Sequence, residues 1–262
     1  MVATIPAVAT RALVFDLDYT LIVEESYAMA SLREALALLP GVDPETAEQP
    51  ALEAVRSVWR AGADHTVAQG LGFASWEGLW SDFTGNHPAA DGLVAWAPTY
   101  RVEAWRAVGR LLGIDDEDAV SAAAQRFEEA QRRGHPVIEG MHETLAEVGA
   151  DHRLGLVTNG PSDIQRLKLA QAGLTGVFAA EVISGELGVG KPEPEVFLGL
   201  LERLDVGPEA ATMVGDSWER DVEGALGAGM SAVWIAAGRT PPAAHERLTV
   251  IDSVVGLGDV LD

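Results

Sequence analysis

The chain has 262 residues, with 18 Lys and Arg against 40 Asp and Glu, which gives a formal net charge of −22 at pH 7. This excess of negative charge argues against a partner such as nucleic acid or an anionic membrane, because either one attracts a positive protein surface. The absence of cysteine excludes disulfides, zinc-thiolate sites, iron-sulfur clusters and thiol nucleophiles.

No apolar run approaches the roughly 18 residues that a membrane-spanning helix needs. Residues 1–10 lack the basic start and long apolar stretch of a secretory signal, and we interpret them as a short tail before the first strand. We therefore expect a cytoplasmic protein, either a monomer or a homodimer. Only two of its basic residues are lysines, Lys168 and Lys191, so each of them merits inspection.

Short apolar runs that end in polar residues predict the strands of a buried parallel sheet. In chain order they cover residues 12–16, 153–158, 181–184, 211–216, 231–235 and 249–252. Segments with helical spacing alternate with the later strands, at residues 141–149, 161–173, 194–204 and 218–228. This alternation predicts an α/β fold, a Rossmann-like open parallel sheet with helices on both faces, whose functional site lies beyond the carboxyl ends of the strands.

Residues 21–134 interrupt the alternation, because they have helical spacing and no convincing strand. The candidate helices cover residues 24–39, 45–69, 97–112 and 116–133. We interpret this stretch as an all-helical cap domain inserted into an α/β core domain of residues 1–20 and 135–262. Five of the seven tryptophans lie in the insert, where we expect most of them to pack between helices.

Two aspartates lie at the carboxyl end of the first predicted strand. Asp16 and Asp18 are two residues apart, and alternate residues of a strand point to the same side. Two carboxylates at such a short distance favour either a metal site or a division of acid and base roles. Taken alone, the pattern is equally compatible with two solvated acids in a loop.

Two further strand ends carry polar groups. Thr158 ends its strand, and the backbone that follows, through Asn159 and Gly160, enters a helix N-terminus, which is a natural anion cradle. Helix capping is the alternative role for this segment. Asp216 ends the strand at 211–216, and Ser217 follows it.

Two further charged residues are candidates for the site. Lys191 lies in a loop restricted by prolines, so it lacks the freedom of an ordinary surface lysine. Asp221 lies in the first turn of the helix after Asp216, where an acid commonly interacts with the helix dipole.

Taken together and in this order, the motifs resemble the haloacid dehalogenase-like superfamily of phosphohydrolases. They are Asp-Leu-Asp-Tyr-Thr at 16–20, Thr-Asn-Gly-Pro at 158–161, Gly-Lys-Pro-Glu-Pro at 190–194 and Gly-Asp-Ser at 215–217. The resemblance covers about residues 10–25 and 135–262, whereas the helical insert matches the superfamily's cap in position only. Residues 185–192 and 215–217 are most similar to capped members such as acylneuraminate-9-phosphatases and small-metabolite or nucleotide phosphatases.

The resemblance implies a Mg²⁺-dependent phosphatase that hydrolyses a small phosphorylated metabolite through an aspartyl-phosphate. It makes Asp16 the nucleophile and Asp18 the general acid and base. It also implies that Mg²⁺ binds the carboxylates of Asp16 and Asp216 and the backbone carbonyl of Asp18.

The remaining implied roles concern the phosphoryl group and its surroundings. Thr158, Lys191 and the backbone at Asn159 would hold the phosphoryl oxygens. The supporting residues would be Thr20, Gly160, Ser217 and Asp221. Of these, Asp221 would orient Lys191 or a metal-bound water, and Thr20 would support the loop that carries Asp16.

Other functions are weighed against this one. A phosphomutase of the same superfamily would share all four motifs and stays open. A 2-haloacid dehalogenase resembles the chain in fold but has no acid at the position of Asp18, and a non-catalytic binding module would be expected to lack Asp16. A nucleotide-binding P-loop is rejected, because Pro192 follows Lys191 where a hydroxyl ligand for Mg²⁺ is required.

The helical insert is expected to select the substrate and to exclude water when it closes, with a hinge near Glu24 and Glu25. An arginine of the insert is a candidate to bind a carboxylate or second phosphate of the substrate, although ion pairs or solvation are the more common fate of such residues. The candidates are Arg56, Arg60, Arg101, Arg106 and Arg110.

Overall fold

Six parallel strands form one sheet in the computed structural model, which describes residues 10–261. The expected tail at residues 1–9 lies outside the described residues. The strands are Ala12–Phe15 (β1), Arg153–Thr158 (β2), Ala180–Ile183 (β3), Ala211–Gly215 (β4), Ser231–Ile235 (β5) and Leu248–Ile251 (β6). All six predicted strands are therefore confirmed, with ends that differ from the prediction by no more than one residue.

The strand order is β3-β2-β1-β4-β5-β6. After β1 the chain adds β2 and β3 on one side of it, and then adds β4, β5 and β6 on the other side. Phe15 at the end of β1 lies beside Leu156 of β2 and Val214 of β4. The segments that follow these three strands consequently emerge side by side. This is the position at which open parallel sheets bind ligands.

Helices cover both faces of the sheet, as the sequence predicts. They are Met141–Val148 (α7), Ser162–Gln171 (α8), Ser184–Leu187 (α9), Pro194–Leu204 (α10), Gly224–Gly227 (α11) and Gly258–Leu261 (α12). Leu13 and Phe15 of β1 belong to a buried cluster with α7, whereas Val14 belongs to the cluster with α10. Each buried side chain of this size contributes about 1.5–3 kcal/mol relative to an exposed one.

Between β1 and β2 the regular structure of residues 25–132 is helical. The helices are Glu25–Leu36 (α1), Pro44–Ala61 (α2), His65–Leu71 (α3), Ser75–Gly78 (α4), Asp91–Leu112 (α5) and Glu117–Arg132 (α6). Their buried side chains form one hydrophobic cluster, which runs from Ala28 to Phe127 and also includes Ile164 of α8. Within the described chain, no helix combines the length and apolar character needed to cross a bilayer.

Three helix predictions need correction. The helix expected at 45–69 is divided at Gly62, where a Cβ atom would lie 2.4 Å from the Trp96 ring, so packing of that ring requires a glycine at this position. The helix expected at 97–112 begins at Asp91 and contains Pro98, which favours a helix start but here lies inside the helix. The segment expected at 218–228 begins as a π-helical turn, Trp218–Glu223.

The two chain segments that join the helices to the sheet lie against each other. Val23 N–H donates a hydrogen bond to Pro136 O at 2.8 Å, and Ile138 N–H donates to Leu21 O at 2.9 Å. The helical stretch therefore begins and ends at one place, close to the carboxyl end of β1.

Candidate active site

Asp16 comes directly after β1, and its backbone N–H donates to Val214 O at 3.0 Å. A tight turn follows, in which Leu21 N–H donates to Leu17 O at 2.9 Å and Tyr19 has a φ of 61°. A left-handed backbone is uncommon for a residue other than glycine and is often found near functional sites. Thr20 is buried in this turn, and its hydroxyl has no hydrogen-bond partner among residues 10–261.

Lys191 is buried between two carboxylates. Its Nζ atom lies 2.7 Å from Asp16 Oδ1 and donates a hydrogen bond to Asp221 Oδ1 at 2.6 Å. Asn159 fixes the backbone of Lys191, because the Lys191 N–H donates to Asn159 Oδ1 at 2.8 Å and Asn159 Nδ2 donates to Lys191 O at 3.0 Å. The side chain of Asn159 thus positions the lysine.

Three carboxylates converge beside this lysine. One oxygen from each of Asp16, Asp216 and Asp221 lies within 4.8 Å of the others. Asp221 is carried by the π-helical turn and is held there, since Ser217 N–H donates to Asp221 Oδ2 at 2.9 Å. Oxygen ligands of this type fit a hard divalent cation such as Mg²⁺.

Burial sets the charges of these groups. It raises the pKa of Asp16 to about 8, although the nearby Lys191 ammonium opposes the shift. It raises the pKa of Asp216 to about 6, assisted by the negative charge of Asp221. Burial alone would lower the pKa of Lys191, but Asp16 and Asp221 raise it above its ordinary value. Asp16 therefore needs a further positive charge to be ionised at neutral pH.

The end of β2 is held by hydrogen bonds from two directions. Thr158 is fully buried, and its hydroxyl accepts a hydrogen bond from Gln165 Nε2 at 2.6 Å. The N–H of Gly160 donates to Ser184 Oγ at 2.9 Å, and the N–H of Ser162 donates to Asn86 Oδ1 at 2.8 Å. Part of the backbone expected to cradle an anion is therefore already engaged within the protein.

Lys168, the other lysine of the chain, is also buried and is surrounded by acids. Its Nζ atom donates to Asp18 Oδ1 at 2.9 Å and lies 3.1 Å from Glu24 Oε2 and 3.5 Å from Glu77 Oε1. The side chain of Lys168 has no exposed surface. Asp18 therefore faces α8, which carries Lys168.

Two other groups complete this cluster. Gln165, one turn before Lys168 on α8, donates from Nε2 to Asp18 Oδ2 at 3.0 Å. His135 Nε2 lies 2.9 Å from Glu24 Oε2. Burial opposes ionisation of Glu24, but Lys168 and His135 lower its pKa to about 2. Glu77 has no comparable compensation, and burial raises its pKa to about 8.

The sequence reasoning missed Lys168, Gln165 and Glu77 as site residues. A signal existed for the first two, because lysine is rare in this chain and a spacing of three residues places both on the same face of the helix after Thr158. Glu77 lies on the short helix α4, and nothing in its local sequence distinguishes it from a surface acid.

A cavity of about 590 Å³ lies over the carboxyl ends of the strands, a volume suited to a small molecule. Its sheet side includes Asp16, Asp18, Asn159, Lys191, Asp216 and Arg239. Its helical side includes Glu24, Arg56, Trp59, Arg60, His65, Trp76 and Glu77. The helical stretch thus shares the cavity with six of the predicted site residues, which are Asp16, Asp18, Asn159, Lys191, Asp216 and Ser217. The other four, Thr20, Thr158, Gly160 and Asp221, do not line it.

Comparison with known proteins gives consistent matches. Residues 10–229 match the haloacid dehalogenase-like hydrolase family. The chain is 36% identical over 247 residues to phosphoserine phosphatase of Thermus thermophilus, covering 92% of this chain and 96% of the relative. It is 41% identical over 99 residues to N-acylneuraminate-9-phosphatase of Mus musculus, covering 37% of this chain and 40% of the relative. The crystal structure of 2-haloacid dehalogenase from Pseudomonas syringae has a TM-score of 0.60 and 26% identity, covering 96% of this chain and 98% of that chain.

Proposed function

Because the chain belongs to the haloacid dehalogenase-like hydrolase family and relatives of it are named as phosphatases, it is a phosphoric monoester hydrolase, and we propose that it cleaves a small phosphorylated metabolite through an aspartyl-phosphate on Asp16. One observation carries the proposal. Asp16 lies 2.7 Å from the buried ammonium of Lys191, and carboxylate oxygens of Asp16 and Asp216 lie within 4.8 Å of each other, which is close enough to share a divalent cation.

Asp16 would attack phosphorus as its carboxylate while the bond from phosphorus to the ester oxygen breaks. The nearby ammonium of Lys191 favours the ionised form of Asp16 that this attack requires. Thr158, Lys191 and the Asn159 backbone would hold the phosphoryl oxygens, so that charge and position are set before the reaction. Water would then hydrolyse the acyl-phosphate bond and release inorganic phosphate.

Asp18 would give a proton to the leaving ester oxygen and take one from the attacking water in the second step. Its side chain lines the same cavity as Asp16. A 2-haloacid dehalogenase needs no proton for its leaving halide, so this acid favours phosphate ester chemistry. Halide release from 2-chloropropionate tests the dehalogenase alternative directly.

Mg²⁺ would be held by the carboxylates of Asp16 and Asp216 and by the Asp18 carbonyl. Asp221 fits less well as a ligand, because Lys191 and the Ser217 N–H already occupy its two oxygens. When bound at this position, Mg²⁺ supplies positive charge that stabilises the phosphoryl oxygens in the transition state. Asp221 would instead orient Lys191.

Residues 21–134 would act as the cap over a core of residues 1–20 and 135–262. In support, this stretch contacts helix α8: Ser81 Oγ and the Asp82 N–H donate to Asp163 at 2.8 and 2.7 Å. The cap would exclude water from the reaction and restrict the cavity to small esters.

The test is a phosphate-release screen over sugar, acyl-sugar, nucleotide and small-acid monophosphates, with and without Mg²⁺. Asp16→Asn should lower kcat by at least about 10³-fold, the scale on which loss of a nucleophile acts. The matched change Asp151→Asn, at an exposed turn before β2, should leave kcat unchanged. Full activity of Asp16→Asn, or no phosphate release from any ester, would overturn the proposal.

A further inference from the structure

Lys168 is the centre of a buried charge cluster to which the proposed chemistry assigns no role. Its ammonium contacts three carboxylates from three parts of the chain: Asp18 after β1, Glu24 between β1 and α1, and Glu77 on α4. An ammonium is costly to bury unless its partners hold it in a defined place. The cluster therefore fixes the position of the Lys168 ammonium from both the sheet side and the helical side.

Asp18 lines the cavity, as Glu24 and Glu77 do, and α8 occupies both of its oxygens. Lys168 Nζ donates to Oδ1 at 2.9 Å, and Gln165 Nε2 donates to Oδ2 at 3.0 Å. Gln165 also donates to the Thr158 hydroxyl at 2.6 Å. One face of α8 thus sets the orientation of the Asp18 carboxylate relative to the end of β2.

We propose that Lys168 is a positioning residue for proton transfer by Asp18, with Glu24 and Glu77 holding its ammonium in place. The inference rests on the proposed function, since it requires Asp18 to protonate the leaving oxygen. Proton transfer depends steeply on the placement of the donor, so release of one oxygen of Asp18 impairs this step more than it impairs attack by Asp16.

The experiment compares a poor and a good leaving group, glycerol 3-phosphate and p-nitrophenyl phosphate. Lys168→Met should lower kcat for the alkyl ester about tenfold more than for the aryl ester, because only the alkyl leaving group needs a proton. Lys168→Arg, which restores a cation, should recover most of the difference. Arg166→Met is the matched control on α8, since Arg166 pairs with Glu186 at 2.8 Å away from Asp18; it should affect both esters equally.

Equal losses for the two esters in Lys168→Met would show a merely structural role and overturn the inference. If Lys168→Met fails to fold, Glu24→Gln carries the test, because the ionised Glu24 lies 3.1 Å from Lys168 Nζ; it should give a smaller loss with the same leaving-group dependence. Activity that persists in Asp16→Asn would instead overturn the proposed function. The two failures are therefore distinguishable.

A second inference comes from the arginines of the helical stretch. Three of the five candidates are paired with carboxylates: Arg60 with Glu53, Arg101 with Asp82 and Arg106 with Glu117. Arg110 has no such partner but does not line the cavity, whereas Arg56 lines the cavity and has no carboxylate within 4.0 Å among residues 10–261. Arg56 is thus the candidate with a free charge at the site.

Arg56 is also held in place. Its Cζ atom lies 6.0 Å from the centroid of the Trp76 ring, which lines the same cavity, and such a contact restrains a guanidinium without neutralising it. A planar guanidinium binds a carboxylate through two parallel hydrogen bonds, and one positive charge is enough to balance it. A second phosphate dianion would need more positive charge than Arg56 supplies.

We infer that Arg56 binds a carboxylate on the alcohol part of the substrate, so that the preferred esters carry a carboxylate as well as the phosphate. This names the substrate class of the proposed phosphatase and rests on that function. Arg220, on the sheet side of the cavity, is exposed to solvent and is not needed for the inference.

Two pairs of esters that differ in the carboxylate test this inference: phosphoserine against phosphoethanolamine, and 3-phosphoglycerate against glycerol 3-phosphate. The wild-type protein should have the higher kcat/KM for the first ester of each pair. Arg56→Met should lower the ratio of kcat/KM for the ester with a carboxylate to kcat/KM for the ester without one about tenfold. The change should arise mainly in KM, as expected for loss of a charge-assisted hydrogen bond. Arg110→Met should leave the ratio unchanged. An unchanged ratio of kcat/KM values in Arg56→Met would overturn the inference, and so would a wild-type preference for bisphosphates. The proposed function would survive either result as long as phosphate release still depends on Asp16.

Discussion

The two lysines of the chain have matching surroundings. Each is buried against carboxylates from separate parts of the sequence, Lys191 against Asp16 and Asp221 and Lys168 against Asp18 and its neighbours. An ammonium in such a place lowers the repulsion between acids that must lie close together. The two aspartates of the first motif therefore have separate counter-charges.

Glu77 provides a test of this arrangement at the level of one residue. Burial raises the pKa of its carboxyl to about 8, so the folded protein keeps a proton there that the unfolded chain loses near pH 4.5. The unfolding free energy should consequently fall as pH rises between these values, by up to about 1.4 kcal/mol per pH unit from this group. Glu77→Gln should remove that slope in urea unfolding curves recorded in metal-free buffer from pH 5 to 8. If the unfolding free energies of Glu77→Gln and the wild-type protein changed equally with pH, the expectation would be contradicted.

At the level of elements, the site depends on how closely β4 approaches the turn that follows it. Gly215 ends β4, and a Cβ atom there would lie 2.3 Å from Asp221 Oδ2. The π-helical turn can bring Asp221 to Lys191 only because Gly215 has no side chain. A wider turn at functional sites is a known use of π-helical geometry.

Gly215→Ala should displace the Asp221 carboxylate and lower kcat/KM for phosphate release about 10²-fold, since a shift of about 1 Å at a reacting group has effects of this size. Gly227→Ala is the control on α11, because a Cβ atom there meets nothing within 4 Å. It should keep full activity and raise the melting temperature slightly, as alanine favours a helix. Equal activity of the two variants would contradict the role given to Gly215.

The sequence predicts the strands well and the helix ends less well, for physical reasons. Short apolar runs define buried strands by themselves, and the order of the four motifs predicts which strand ends meet. The need for glycine at 62, where α2 ends, comes from the distant Trp96 ring, and no local pattern reports that contact. Glu77 is missed for the same reason, because its burial against Lys168 exists only after the helical stretch has packed on α8.

At the level of the whole molecule, the net charge of −22 produces a field that repels a phosphate ester before the site can attract it. Salt shortens the reach of that field, from about 30 Å at 0.01 M to about 8 Å at 0.15 M ionic strength. The local positive charge of Lys191 is screened much less because it is buried.

We therefore expect kcat/KM for a dianionic ester to rise about twofold between these ionic strengths at saturating Mg²⁺, with kcat unchanged, because only the approach of the substrate is affected. Initial rates across a series of NaCl concentrations provide the measurement, with an inert neutral osmolyte as the control for viscosity. A decrease in kcat/KM with salt would show that a positive surface steers the substrate.

The pairing of the two connecting segments has a consequence for engineering. Val23 bonds to Pro136 and Ile138 bonds to Leu21, so the chain that leaves the sheet returns to within hydrogen-bond distance of its exit. None of the strand pairings of the sheet involves a residue between these two segments. We expect residues 24–135 to be exchangeable for a foreign helical module that covers Ile164 and Lys168 of α8 as the present helices do, which would make this point a natural position for grafting.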